Sequence, residues 1–144
     1  MLFLSHALFA EKVEIVSDAM QAQNAKQEVH FVGHVKIAQS KTWLHADHVI
    51  VYFNDNNETS RYEAKGNVIF QVDMKKSLFK GKAQKVIYEP LALHYKLFGK
   101  AVIEDVTNKR YISGEEIIFD AKNGDAKVKG NRKKPVKFIF DMEK

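Results

Sequence analysis

The side chains best suited to chemistry here are the six histidines, since imidazoles bind metals and exchange protons near neutral pH. His30, His34, His45 and His48 are close in sequence. A hairpin through Gln39-Ser40-Lys41 that pairs Val35 with Leu44 places His34 opposite His45 on the outer face. Two imidazoles can hold an adventitious ion, but a catalytic centre needs a third ligand and an open position. We therefore expect no functional metal and no cofactor. The absence of cysteine removes thiol nucleophiles, thiolate zinc sites and disulfides. There is no glycine-rich phosphate loop, G-x-S-x-G elbow or H-E-x-x-H pair, and the carboxylates are scattered. No catalytic residue stands out, and an enzyme is not expected.

Positive charge is the other chemical feature. Lys and Arg number 23 against 18 Asp and Glu, a formal net charge of +5 and a pI near 9.3, which favours an anionic partner. The basic residues cluster at Lys75, Lys76, Lys80, Lys82 and Lys85, and again at Lys127, Lys129, Arg132, Lys133 and Lys134. Such runs attract phosphates or simply form a solvated face. A basic nucleic-acid-binding β-domain needs aromatic side chains interleaved with these cations on the outside. Phe31, Phe70, Tyr88 and Phe119 fall instead on the inward phase of their segments, so no nucleic acid is expected.

The elements that must position these groups are strands. In Val29-His30-Phe31-Val32-Gly33-His34-Val35-Lys36-Ile37 the odd positions are apolar or glycine and three of the four even ones are polar, the period-two signature of a half-buried strand. Comparable runs occupy about 11 to 22, 42 to 53, 61 to 72, 78 to 89, 91 to 106, 110 to 120 and 135 to 142. Residues 17 to 27, rich in Ala, Gln and Met, are the segment best suited to a helix. At 144 residues the chain suffices for one domain with a real core.

The pattern repeats. Gly33, Gly66 and Gly99 are spaced 33 residues apart and Gly130 follows after 31. The first three lie in apolar-x-Gly-x-apolar-x-apolar stretches, in phase with the inward residues, where a glycine in every unit leaves part of the interior unfilled or supports a bulge. A second element follows each of these three: Ala46-Asp47-His48-Val49, Ala83-Gln84-Lys85-Val86 and Gly114-Glu115-Glu116-Ile117, with a degenerate Ser17-Asp18-Ala19-Met20 at the start. There the inward phase resumes after three residues rather than two, which marks a corner where a strand passes from one sheet layer to the other and the polar residue points outward. Repeated hairpins with a corner in each strand predict an all-β fold: a folded-over antiparallel β-jellyroll or short β-solenoid, open at both ends, with an apolar trough inside.

The trough lining expected from the phases is Val13, Ile15, Phe31, Val35, Ile37, Leu44, Val49, Val51, Val68, Phe70, Val86, Tyr88, Ala101, Ile103, Ile117 and Phe119. Segments beginning at Val13 and Pro135 supply the edge strands, with Val13, Ile15, Val136, Phe138 and Phe140 as the assembly residues. Residues 1 to 10 are apolar and uncharged and end in Ala10 before Glu11-Lys12, like the distal part of a secretory signal. That leaves 11 to 144 as a single domain, and the short apolar start argues for export.

Val13 to Asp18, Val29 to Ile37 and Leu44 to Tyr52 resemble successive repeats of the LptA/OstA-like lipopolysaccharide-transport family, and the similarity runs from about Val13 to Phe140. Gln84 and Glu115 stand where the repeats carry Asp, on outward positions away from the trough. The resemblance implies a periplasmic β-jellyroll that binds lipopolysaccharide and shields the acyl chains of lipid A. It also implies end-to-end homo-oligomers that bridge an LptC-like inner-membrane partner and an LptD-like outer-membrane partner. With neither a spanning helix nor a following barrel in these residues, the LptA-like branch is the expected one. A self-assembling β-protein with no lipid in its interior is the structural alternative.

Overall fold

A computed structural model describes residues 12–74 and 76–142; the signal-like segment lies outside them. The chain forms one antiparallel sheet. Its strands are β1 (Glu14–Val16), β2 (Ala19–Gln23), β3 (Glu28–Gln39), β4 (Thr42–Phe53), β5 (Thr59–Met74), β6 (Ser77–Glu89), β7 (His94–Asp105), β8 (Arg110–Asp120), β9 (Ala126–Lys129) and β10 (Lys137–Phe140). Sequential strands pair from β3 to β8; β1 and β2 both flank β3, while β9 and β10 both flank β8. Each edge is therefore one long strand broken in two.

The six long strands bend midway, as the three-residue phase steps predict. Ladder register slips between Val32 and Val35, His45 and His48, Lys65 and Val68, Lys82 and Lys85, and Phe98 and Ala101. Because each bulge adds local twist, the aligned slips fold the sheet along one line into two half-sheets. The first half carries β2, β9 and the strand segments near Val49, Val86 and Ile117; the second carries β1, β10 and those near Val35, Val68 and Ala101. Their inner faces meet. Phe70 of the second half stacks on Tyr95 of the first at 5.8 Å between ring centroids, and Phe79 packs on Phe119 at 5.2 Å. The result is the folded-over β-jellyroll. Val49, Leu97, Ala101 and Ile117, fully buried, lie at the centre of its core.

Three expectations need correction. Residues 17 to 27 form no α-helix: Ala19–Gln23 is strand β2, and only Asn24–Lys26 makes a 3₁₀ turn. Five ladder partners on β3, from Val32 to Glu28, outweigh the weak helix propensity of an isolated segment. The β3–β4 hairpin turns on Ser40 and Lys41, with Ser40 left-handed at φ 55°, so Val35 pairs with Ala46 and Lys36, not His34, faces His45. The shift is two residues, so every side chain keeps its face. Finally, Gly33, Gly66 and Gly99 do not leave the interior unfilled. A Cβ on Gly66 would fall within 3 Å of Asp47 side-chain atoms, and Gly33 and Gly99 stand in the same relation to Asp18 and Gln84.

Candidate functional site

The inward phases read from the sequence are the inward faces of the structure. Phe31, Val35, Val49, Val51, Val68, Phe70, Val86, Ala101, Ile103, Ile117 and Phe119 are buried in one cluster, and Ile15, Ile37, Leu44 and Tyr88 pack against it half-buried. Val13 stays exposed at the N-terminal edge, where it borders a small cavity of about 80 Å³ with Ile37, Leu44, Phe70, Tyr88 and Tyr95.

Sequence reasoning missed part of this lining. Tyr62, Tyr88 and Tyr95 form an aromatic ladder across β5, β6 and β7, with ring centroids 5.9 Å and 4.4 Å apart. Burial pushes the Tyr95 phenol far above its ordinary pKa, with Tyr88 adding to the effect. The ladder is therefore neutral and suited to apolar company at any physiological pH. Tyr62 and Tyr95 sit one period-two step from Ala64 and Leu97, so continuing the phase outward from the corner would have found them. Phe79, Ile112 and Val128 also pack against the cluster.

Each of three corners packs a glycine against a polar side chain, Asp18, Asp47 or Gln84. Gly33, Gly66 and Gly99 have φ between 81° and 85°, and the residues after them, His34, Asn67 and Lys100, are also left-handed. Only glycine takes such a φ without strain. In the first two corners the following residue reaches back to the acid: His34 Nδ1 lies 2.8 Å from Asp18 Oδ2, and Asn67 Nδ2 donates to Asp47 Oδ2 at 3.1 Å. Asp18 N–H also donates to the Gly33 carbonyl at 2.9 Å. These are joints on the outside of the fold, away from the trough. Nearby on that outer surface, His30 and His48 approach to 3.2 Å, with Glu28 2.9 Å from the other nitrogen of His30.

The trough opens widest toward the C-terminal edge. A cleft of about 700 Å³ lies between the two half-sheets, with Phe79, Ile103, Ile112 and Phe119 as its apolar floor. Lys76, Arg110, Lys122, Asn123 and Phe138 stand around it. Asp105, only 5% exposed, accepts from Arg110 Nη2 at 2.9 Å and from Asn108 Nδ2 and N–H at 2.9 and 3.1 Å. Burial favours its neutral form, but the Asn108 and Arg110 hydrogen bonds prevail and hold its pKa below the ordinary carboxylate value. The basic runs seen in the sequence are mostly elsewhere: Lys85 faces Glu63 at 3.7 Å and Lys134 faces Glu115 at 3.9 Å. Of those runs Lys76 alone, among the described residues, lines the cleft.

At the edges, β1 pairs only with β3 and β10 only with β8 among the described residues. Val136, Phe138 and Phe140 are exposed, the last two by 52% and 56%. Ile15 turns inward against the core, whereas Val13 remains exposed beside it.

Comparison with known proteins agrees with this architecture. LptH of Pseudomonas aeruginosa, described as the LptA homologous periplasmic component of the conserved lipopolysaccharide transport device, has the same fold: TM-score 0.81, 13% identity, covering 92% of this chain and 96% of that one. No curated protein matches the sequence. The family model described as LptA/(LptD N-terminal domain) LPS transport protein matches residues 14–125. Strands β1 to β8 with their glycine corners lie within that match, and the chain belongs to the LptA-like family of lipopolysaccharide-transport proteins.

Proposed function

We propose that this protein is a periplasmic lipopolysaccharide carrier that holds lipid A acyl chains between its two half-sheets and joins other copies end to end. The observation that carries the reading is one continuous apolar inner face, from Ile15 to Phe119, that opens into a cleft beside an edge strand bonded on one side. Each methylene withdrawn from water contributes about 0.8 kcal/mol, so an acyl chain laid against this face is strongly held. The Tyr62–Tyr88–Tyr95 ladder and Phe70 offer flat, neutral walls to such chains. An edge without a second partner among the described residues at each end lets β10 of one copy extend the sheet of the next through its β1 edge. In such a row the inner faces align as one path between an LptC-like protein at the inner membrane and an LptD-like protein at the outer membrane.

Photo-crosslinking residues at Phe31, Phe70 and Phe119, with Lys36 as an outward control, test the lipid reading. Lipopolysaccharide should label the three interior positions and spare the control. Labelling at Lys36 alone, or none anywhere, would overturn the reading.

A further inference from the structure

Across β5, β6, β7, β8 and β10 an inward row far from the corners reads Val72, Phe79, Asp105, Arg110 and Phe140. A carboxylate and a guanidinium interrupt an otherwise apolar row. A buried carboxylate is costly unless paired and hydrogen-bonded, and Asp105 is both. The pair closes the β7–β8 hairpin, yet Arg110 remains half exposed on the rim of the 700 Å³ cleft. A guanidinium carries five N–H donors in a planar fork. Its bond to Asp105 leaves donors over, with the plane held in place.

Lys76 and Lys122 line the same rim from the β5–β6 and β8–β9 connections, so three cations and one carboxylate surround an apolar floor. Among the described residues lining the smaller N-terminal cavity, none is charged. The two open regions of the interior thus differ in charge.

We propose that the C-terminal rim is the site for the phosphorylated head of the bound amphiphile, with Arg110, Lys76 and Lys122 as phosphate contacts and Asp105 as the positioning residue that orients Arg110. This rests on the reading that acyl chains occupy the interior. The head at the rim and the tails along Phe79, Ile103, Ile112 and Phe119 set the ligand's orientation. A guanidinium fork suits a phosphate better than an ammonium does, because it can donate two parallel bonds.

The test is equilibrium binding of two lipids to the full chain: diphosphoryl lipid A and the same lipid stripped of both phosphates. The wild-type chain should prefer the phosphorylated lipid by roughly tenfold or more, the scale of one charge-assisted hydrogen bond. Lys76→Gln with Lys122→Gln, both at exposed positions, should reduce that preference and leave the stripped lipid's affinity unchanged. Arg110→Lys, which retains the charge beside Asp105, should also reduce it.

Equal wild-type affinity for the two lipids would overturn the head-group site while leaving the acyl-chain reading intact. A double variant that loses affinity for both lipids alike would overturn it as well, since the lysines would then not read phosphate. Binding of neither lipid would overturn both readings. Inorganic phosphate, against chloride at equal ionic strength, should not displace the lipid; selective displacement would assign the rim to free phosphate instead.

Discussion

At the scale of single residues, the corners are where a small change should have the largest effect. Gly66 has φ 82° and the Asp47 side chain occupies the space of its absent Cβ. Gly66→Ala therefore meets both a left-handed backbone penalty of about 1–2 kcal/mol and a steric clash. We expect a loss of at least ~2 kcal/mol, read as a lower urea midpoint with unchanged slope. Asp47→Asn keeps the shape and an acceptor for Asn67, so it should cost less than about 1 kcal/mol; a larger loss would show that charge, not shape, secures the corner. His48 gives a pH effect. Burial, with His30 and Lys65, holds its pKa below 6.5, and Glu63 opposes. Its neutral form is thus favoured on folding, so its contribution is present above pH 6.5 and is lost as pH falls through the lower folded value. His34 works in the opposite direction. Its hydrogen bond to Asp18 raises its pKa, and that contribution is present below 6.5 and lost at higher pH. Thermal melts of His48→Asn should decline less than wild type as pH drops below 6.5; a parallel decline would remove His48 from the account.

Among the elements, the terminal strands have the clearest separate role. β10 joins the sheet by four ladder pairs to β8 and lies outside the family match, which ends at residue 125. Its exposed Phe138, Ile139 and Phe140 are the features that edge strands ordinarily avoid. Deleting residues 135 to 144 should leave the β-sheet circular dichroism in place and abolish concentration-dependent oligomers in light scattering. Unchanged scattering would refute the end-to-end joint. β2 shows how an element escapes local reasoning. Ala, Met and Gln favour a helix in isolation, but the β3 edge offers five partners to the segment and an unpaired helix of that length is marginal in water.

For the molecule as a whole, stability and lipid capacity draw on the same apolar face. Leu97→Ala removes a fully buried side chain and should cost about 2–5 kcal/mol, with a fall in melting temperature as the measurement. A loss below ~1 kcal/mol would mean that the interior around Leu97 collapses onto the cavity. The residues facing this interior were legible from the chain alone, because alternation is a property of the extended backbone and a bulge shows as a step of three in the same string. The six long strands, their corners, the edge segments at β1 and β10 and the fifteen inward candidates other than exposed Val13 follow from that one rule, whereas β2 reads as a helix and β9 lies where the sequence shows only a basic cluster. What lies opposite what does not. The β3–β4 register turned on the left-handed Ser40, and the packing of acid on glycine depended on strands 15 to 19 residues apart meeting at a fold line. Asp105 and Arg110 lie at the ends of the expected strand runs 91 to 106 and 110 to 120, and it is the register of β7 with β8 that sets them side by side on the inner face. Local periodicity decides which way a side chain points, whereas contacts between half-sheets depend on the summed twist and register of every strand between them, and only the folded sheet supplies that sum.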